Sequence, residues 1–197
     1  MINKVSTKQS EFGIIETYFK HLTAQKDVLL GIGDDAALVD FSGGASTHLV
    51  VATDTLVSGV HFPEQASADL IAQRALCVNL SDMAAMGAQP RWFTLALTLP
   101  KENAHDDWLF KFSQGLCSVA DRYNCALIGG DTTAGPLTIT LTLLGEVSAH
   151  RALTRGGARP GDSIYVTGML GDGGAGLEMI RNSDMVKDST ERARLAK

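Results

Sequence analysis

The chain has 197 residues, 45% of them hydrophobic and 20% charged, a balance that fits a folded globular protein with room for one full domain and part of another. Twenty-two Asp and Glu against seventeen Lys and Arg leave a net charge of −5, which argues against a nucleic-acid binder working through basic patches. No apolar run approaches the roughly 18 residues that span a bilayer, and the start Met1-Ile2-Asn3-Lys4 lacks the apolar stretch of a secretory signal, so a cytoplasmic protein without a membrane partner is expected.

Phe12, Ile15, Phe19 and Leu22 recur at three- and four-residue spacing and predict a helix over 11–25 with Ser10 as N-cap. Strand-like runs follow at 28–32 and 48–53, the second ending at Asp54, with the turn-prone Ser42-Gly43-Gly44 between them. Residues 67–86 read as a long helix capped by Ser67. The run 92–99 is a strand closed by Pro100, and 105–123 an amphipathic helix with Trp108, Phe112, Leu116 and Val119 on one side. Two more strands come at 126–128 and 137–147, where Thr138, Thr140 and Thr142 alternate with apolar residues. This intermixing predicts an α/β (α+β) first domain over residues 1–150.

Arg- and Gly-rich residues 151–161 lead into a second unit, 151–197. It opens with a strand over Ser163–Thr167, a glycine run from Gly171 to Gly176 and a helix from Leu177. One strand and one or two helices cannot bury a core of their own, so a complete first domain and the opening of a second are expected. Cys77, Cys117 and Cys125 are an odd, scattered set without a C-x-x-C pair, which fits a reducing compartment rather than a disulfide framework or zinc knuckle.

Aspartates stand at the ends of apolar runs or beside glycines: Asp34 and Asp35 in Gly31-Ile-Gly-Asp-Asp, Asp54 after Ala52-Thr53, Asp82 in Asn79-Leu-Ser-Asp, and Asp131 in Ile128-Gly-Gly-Asp. Each alone reads as a turn or cap residue. Asp82 is harder to explain that way, because Ile71, Ala75, Val78, Asp82 and Met86 share one helical face. A carboxylate there is costly unless it is paired, with Arg74 and Arg91 as salt-bridge candidates, or holds a metal. Converging carboxylates need a cation at neutral pH, and a set without His or Cys favours Mg2+ over zinc. His61, seven residues after Asp54, is either a polar contact to an anionic substrate or a surface histidine.

Gly171-x-Gly173-x-x-Gly176 formally matches the dinucleotide fingerprint. Glu191 lies near the required distance, but its neighbours form no apolar strand, so the dinucleotide reading is rejected. A glycine-rich helix start suited to approaching a phosphate remains.

Five segments taken together, Gly31–Ala37, Thr53–Phe62, Val78–Ala88, Ile128–Thr133 and Leu153–Asp162, resemble thiamine-monophosphate kinases, in order and with similar spacings from Glu11 to about Ile180. That family is part of the superfamily of aminoimidazole ribonucleotide synthetase and selenophosphate synthetase. The resemblance implies a mixed or antiparallel four-stranded sheet flanked by helices, pairing with a second copy into a homodimer. It implies ATP-dependent phosphorylation of thiamine monophosphate, with Asp35, Thr53, Asp54, Asp82 and Asp131 holding Mg2+ and Asp34 in the same motif. Gly130, Asp131 and Arg155 would contact ATP, and His61 the thiamine monophosphate. Ala52 stands where related enzymes often carry Ser or Thr beside the metal, and the family's second domain is longer than the part seen here.

Charge arithmetic fits this reading independently. ATP brings about four negative charges and the acceptor nearly two, its second pKa being about 6. Divalent cations must therefore bridge phosphates and carboxylates. The attacking phosphate oxygen is already ionised, so no general base is required and none is assigned. Two alternatives stay open: another synthetase of the superfamily, and a non-catalytic nucleotide-binding dimerisation module. The reactive N-terminal cysteine of selenophosphate synthetases has no counterpart before Cys77.

Overall fold

The computed structural model describes residues 10–20, 25–41, 46–181 and 190. Leu22, the Ser42–Gly44 turn and Glu191 lie outside the described residues. The chain divides into two units, Met1–Gly157 and Ala158–Lys197.

Ser10 caps the first helix as expected, accepting a hydrogen bond from the Gly13 N–H at 3.2 Å. The helix differs from the expected 11–25. One α-helical turn, α1 (Glu11–Ile14), widens at once into a π turn over Ile15–Phe19. The stripe that predicted it is unburied, with Phe12 73% and Phe19 47% exposed. A short helix without a surface to pack on has little beyond propensity to hold it regular.

Among the described residues six strands follow rather than four: β1 (Val28–Leu30), β2 (Ala37–Val39), β3 (Thr47–Val57), β4 (Gln89–Leu99), β5 (Ala126–Ala134) and β6 (Thr138–Ser148). They form one sheet in the order β1-β2-β3-β6-β4-β5. Every pairing is antiparallel except β4–β5, which is parallel. The 18-residue helix α3 (Asp106–Tyr123) makes the crossover that a parallel pair needs. Pro90 is tolerated in β4 because pairing with β5 starts only at Trp92.

Alternation sets the two faces of the sheet. Val50, Ala52 and Leu56 of β3, Ile139, Leu141 and Leu143 of β6, and Phe93 and Leu97 of β4 are buried. They belong to one core with Ile71, Ala75, Leu76 and Met83 of α2 (Ala68–Ala85). Phe112, Leu116 and Val119 add the inner side of α3. The two helices approach so closely that a Cβ on Gly115 would lie 2.2 Å from the Asp69 carbonyl oxygen.

The opposite face carries hydroxyls. Thr53 and Thr142 meet at 3.0 Å and Thr55 and Thr140 at 2.9 Å, and Trp92 on the same side is 44% exposed.

In the second unit the Arg159 N–H donates to Asp162 Oδ2 at 2.8 Å. Helix α4 (Asp172–Arg181) begins right after Gly171, whose φ is +94°, so the glycine run lies inside the helix rather than ahead of Leu177. The expected strand over Ser163–Thr167 is absent, and Ile164 and Tyr165 are 95% and 88% exposed. A strand exists only against a partner backbone, and none lies alongside among the described residues. The dinucleotide fingerprint therefore lacks even its leading strand.

Candidate functional site

The first cluster forms where the β1–β2 connection, the middle of β3 and the last turns of α2 meet. Asp34 and Asp35 lie in that connection, Asp54 in β3 and Asp82 in α2. Arg155 begins a 3-10 turn over Arg155–Gly157 that follows the sheet.

The Asp34 side chain is 6% exposed and is used by backbone donors. Its Oδ1 accepts from the Asp35 N–H at 2.9 Å and its Oδ2 from the Arg155 N–H at 3.0 Å. Asp34 thus ties the two segments together. Asp35 pairs through its Oδ1 with the Arg155 guanidinium, which raises the arginine's already high pKa further.

Asp82, the residue singled out by helical spacing, is half-buried. Desolvation, then the negative charges of Asp54 and Asp35, push its pKa up to about 6, while Arg155 partly offsets them. Asp35, Asp54, Asp82 and Arg155 therefore share one electrostatic field. Three carboxylates and one guanidinium leave a negative balance, the setting in which a divalent cation is favoured. Among the described residues no three His, Cys, Asp or Glu side chains lie close enough together to hold a metal ion as they stand. The proposed Arg74 and Arg91 partners lie elsewhere: Arg91 pairs with Glu146, its Nε at 2.7 Å from Oε1, and Arg74 donates to the His61 carbonyl.

The remaining candidates lie apart from this field. Asp54 is level with Leu141 and Leu95, in a row that faces the helices. Asp131 is level with Ala96, Thr140 and Thr55, in the neighbouring row on the hydroxyl-bearing face. Thr53 is on that face too, its hydroxyl against Thr142. Gly130, at φ +153°, has its backbone against β4, and a Cβ there would sit 1.8 Å from the Leu95 carbonyl oxygen. That close approach explains the glycine before Asp131. All nine residues of β5 are exposed.

His61 occupies a tight turn after β3. The His61 N–H donates to the Val57 carbonyl at 2.9 Å, and the Gly59 N–H to the Phe62 carbonyl at 2.9 Å. The Val57 N–H donates to His61 Nδ1 at 2.9 Å, which leaves Nε2 as the ring's N–H.

Asn79 was not singled out by the sequence beyond its place in the segment. It is fully buried in α2, Nδ2 donating to the Ala75 carbonyl at 3.0 Å and Oδ1 without a partner among the described residues. An amide one turn before Asp82 on an apolar helix was the available signal. Cys77 is exposed, with its thiol pKa raised by desolvation, so it is not an activated nucleophile.

Residues 33–147 match the family described as AIR synthase related protein, N-terminal domain. The thiamine-monophosphate kinase of Escherichia coli (strain K12) is 50% identical over 189 residues, which is 95% of this chain and 57% of that protein. The solved structure of AaThiL complexed with AMPPCP and TMP superposes with a TM-score of 0.80 at 33% identity, covering 95% of this chain and 59% of that one. The thiamine-monophosphate kinase from Stenotrophomonas maltophilia K279a gives a TM-score of 0.70 at 44% identity, with 94% and 59% covered. The chain thus spans less than two thirds of the length of these relatives.

Proposed function

The chain belongs to the AIR synthase related family by its N-terminal domain, and we propose that it is the ATP- and magnesium-binding part of a thiamine-monophosphate kinase. The reaction moves the terminal phosphoryl group of ATP onto a phosphate oxygen of thiamine monophosphate. A new P–O bond forms, the bond to the ADP leaving oxygen breaks, and thiamine diphosphate and ADP result. The observation that carries this reading is the field shared by Asp35, Asp54, Asp82 and Arg155.

The donor set is all hard oxygen, which fits Mg2+. Asp35, Asp54 and Asp82 would hold it, with Asp34 beside them, whereas the side chains of Thr53 and Asp131 project from the opposite face of the sheet and do not join this set. Bound Mg2+ supplies the positive charge that lets polyphosphate approach carboxylates. Arg155 neutralises charge on the transferring phosphate, Gly130 and Asp131 contact ATP, and the His61 Nε2–H donates to the acceptor. No residue serves as general base, because the nucleophilic oxygen is ionised before it arrives.

In this reading residues 1–150 bind nucleotide and metal and form the dimer, and 151–197 open the second domain. A second copy of the chain covers the exposed sheet edge, where Leu127 and Ile128 are 50% and 58% exposed. Among the described residues no helix is long and apolar enough to cross a membrane.

The test is a magnesium-dependent assay of thiamine diphosphate formation from ATP and thiamine monophosphate by the intact protein. Formation that stops on chelation and returns with Mg2+ is expected. ATP turnover that needs a different acceptor would assign the chain to another synthetase of the superfamily.

A further inference from the structure

Arg74 lies on α2 two turns before Asp82, at i and i+8, so the two residues share a flank of the helix about 12 Å apart along its axis. Its Nε donates to the carbonyl oxygen of His61 at 3.0 Å, across 13 residues of sequence. The turn it reaches is built from Val57 to Phe62, with Phe62 buried beneath it and Gly59 at φ +74°.

His61 is thereby held at both ends. The ring is fixed from within by the Val57 N–H on Nδ1, and the peptide is fixed from α2 by Arg74 on the carbonyl. Both residues are exposed, so the pairing is not a by-product of core packing. An exposed arginine that donates to one carbonyl of a tight turn restrains that turn at the side chain the turn presents.

We propose that Arg74 is a positioning residue for the acceptor site: it fixes the His61 turn so that the imidazole Nε2–H presents a fixed donor to the incoming phosphate monoester. The inference rests on the reading of His61 as the acceptor contact. It ties the acceptor contact and the acidic cluster to one rigid helix, which carries Arg74 at one point and Asp82 two turns on. The register between the two substrates is then set by α2 rather than by the mobility of a surface turn.

The experiment compares Arg74→Gln, Arg74→Lys, His61→Ala and the double variant Arg74→Gln with His61→Ala in the intact protein. Arg74→Gln is expected to raise KM for thiamine monophosphate about tenfold, the worth of one charge-assisted hydrogen bond, with kcat and the KM for ATP within about twofold. Arg74→Lys keeps a donor and restores most of the loss. In the His61→Ala background, Arg74→Gln adds no further rise. Imidazole nitrogen spectra of Arg74→Gln should show the His61 resonances shifted or broadened. If His61→Ala raises the acceptor KM and Arg74→Gln does not, the positioning role is overturned and His61 stays the acceptor contact. If neither raises it while the His61 resonances still respond to Arg74→Gln, the acceptor reading of His61 fails and this inference fails with it. A fall in kcat that tracks a fall in Tm would mark Arg74 as structural and would equally overturn the proposal.

Discussion

Asp34 and Arg155, 121 positions apart in sequence, are joined by a 3.0 Å hydrogen bond from the Arg155 N–H to Asp34 Oδ2. The same carboxylate holds the Asp35 N–H, so Asp34 fixes the backbone on both sides of the Asp35–Arg155 ion pair. Asp34→Ala strands two donors and is expected to lower stability by about 1–3 kcal/mol, with Asp34→Asn losing less. Urea melts of the three proteins measure this; equal midpoints would mean that the bracket contributes nothing.

Asp82 gives a pH signature. Its pKa rises from 3.8 to about 6 on folding, so between those values the folded chain binds more protons than the unfolded one. Stability from this group is therefore lost as pH rises from about 4 to about 6, and the loss is complete above that window. In chelator, Asp82→Asn should raise Tm near neutral pH and change it little near pH 4. Thermal melts at both ends of the window check the sign, and adding Mg2+ should stabilise the parent chain more than the variant.

Asp54→Asn removes one of the charges that repel Asp82. The variant should fold with undiminished stability, yet its turnover in the intact protein should fall at least a hundredfold, the scale of several kcal/mol of charge stabilisation. Near-normal turnover would remove Asp54 from the metal set.

Gly115→Ala reverses a familiar sign. In an open helix the change is favourable by up to about 1 kcal/mol. Here the new Cβ would meet the Asp69 backbone at 2.2 Å, so a loss of about 1–3 kcal/mol is expected. Denaturant midpoints decide; a gain would show that α2 and α3 have room to separate.

Ile128→Lys places a charge on the exposed edge strand β5, 58% exposed at that residue. If a second copy pairs there, light scattering should find a dimer for the parent and a monomer for the variant.

The long helices were readable because their apolar spacing extends over five turns, and Asp82 was readable for the same reason: it interrupts that spacing. β2 escaped because three residues, Ala37–Val39, carry no period. The full length of β5 escaped because Gly129, Gly130, Asp131, Thr132 and Thr133 have none of the apolar alternation that marks a strand, and its place in the sheet comes from pairing with β4. Ser163–Thr167 shows the converse, a good strand composition without a ladder. In the site, the motif residues were visible but their grouping was not. Thr53 and Asp54 are adjacent in sequence and project to opposite faces, which follows from register alone. The link between Arg74 and His61 runs through a backbone carbonyl, and no side-chain pattern announces it.

The bracket between Asp34 and Arg155 also bears on the order of assembly. Closing a loop of this size carries a large entropic cost until the sheet has already brought its ends near each other. The bond between Asp34 and Arg155 is therefore expected to close only after the strands between them have paired, so a polypeptide halted before Arg155 would leave Asp34 Oδ2 without its backbone donor.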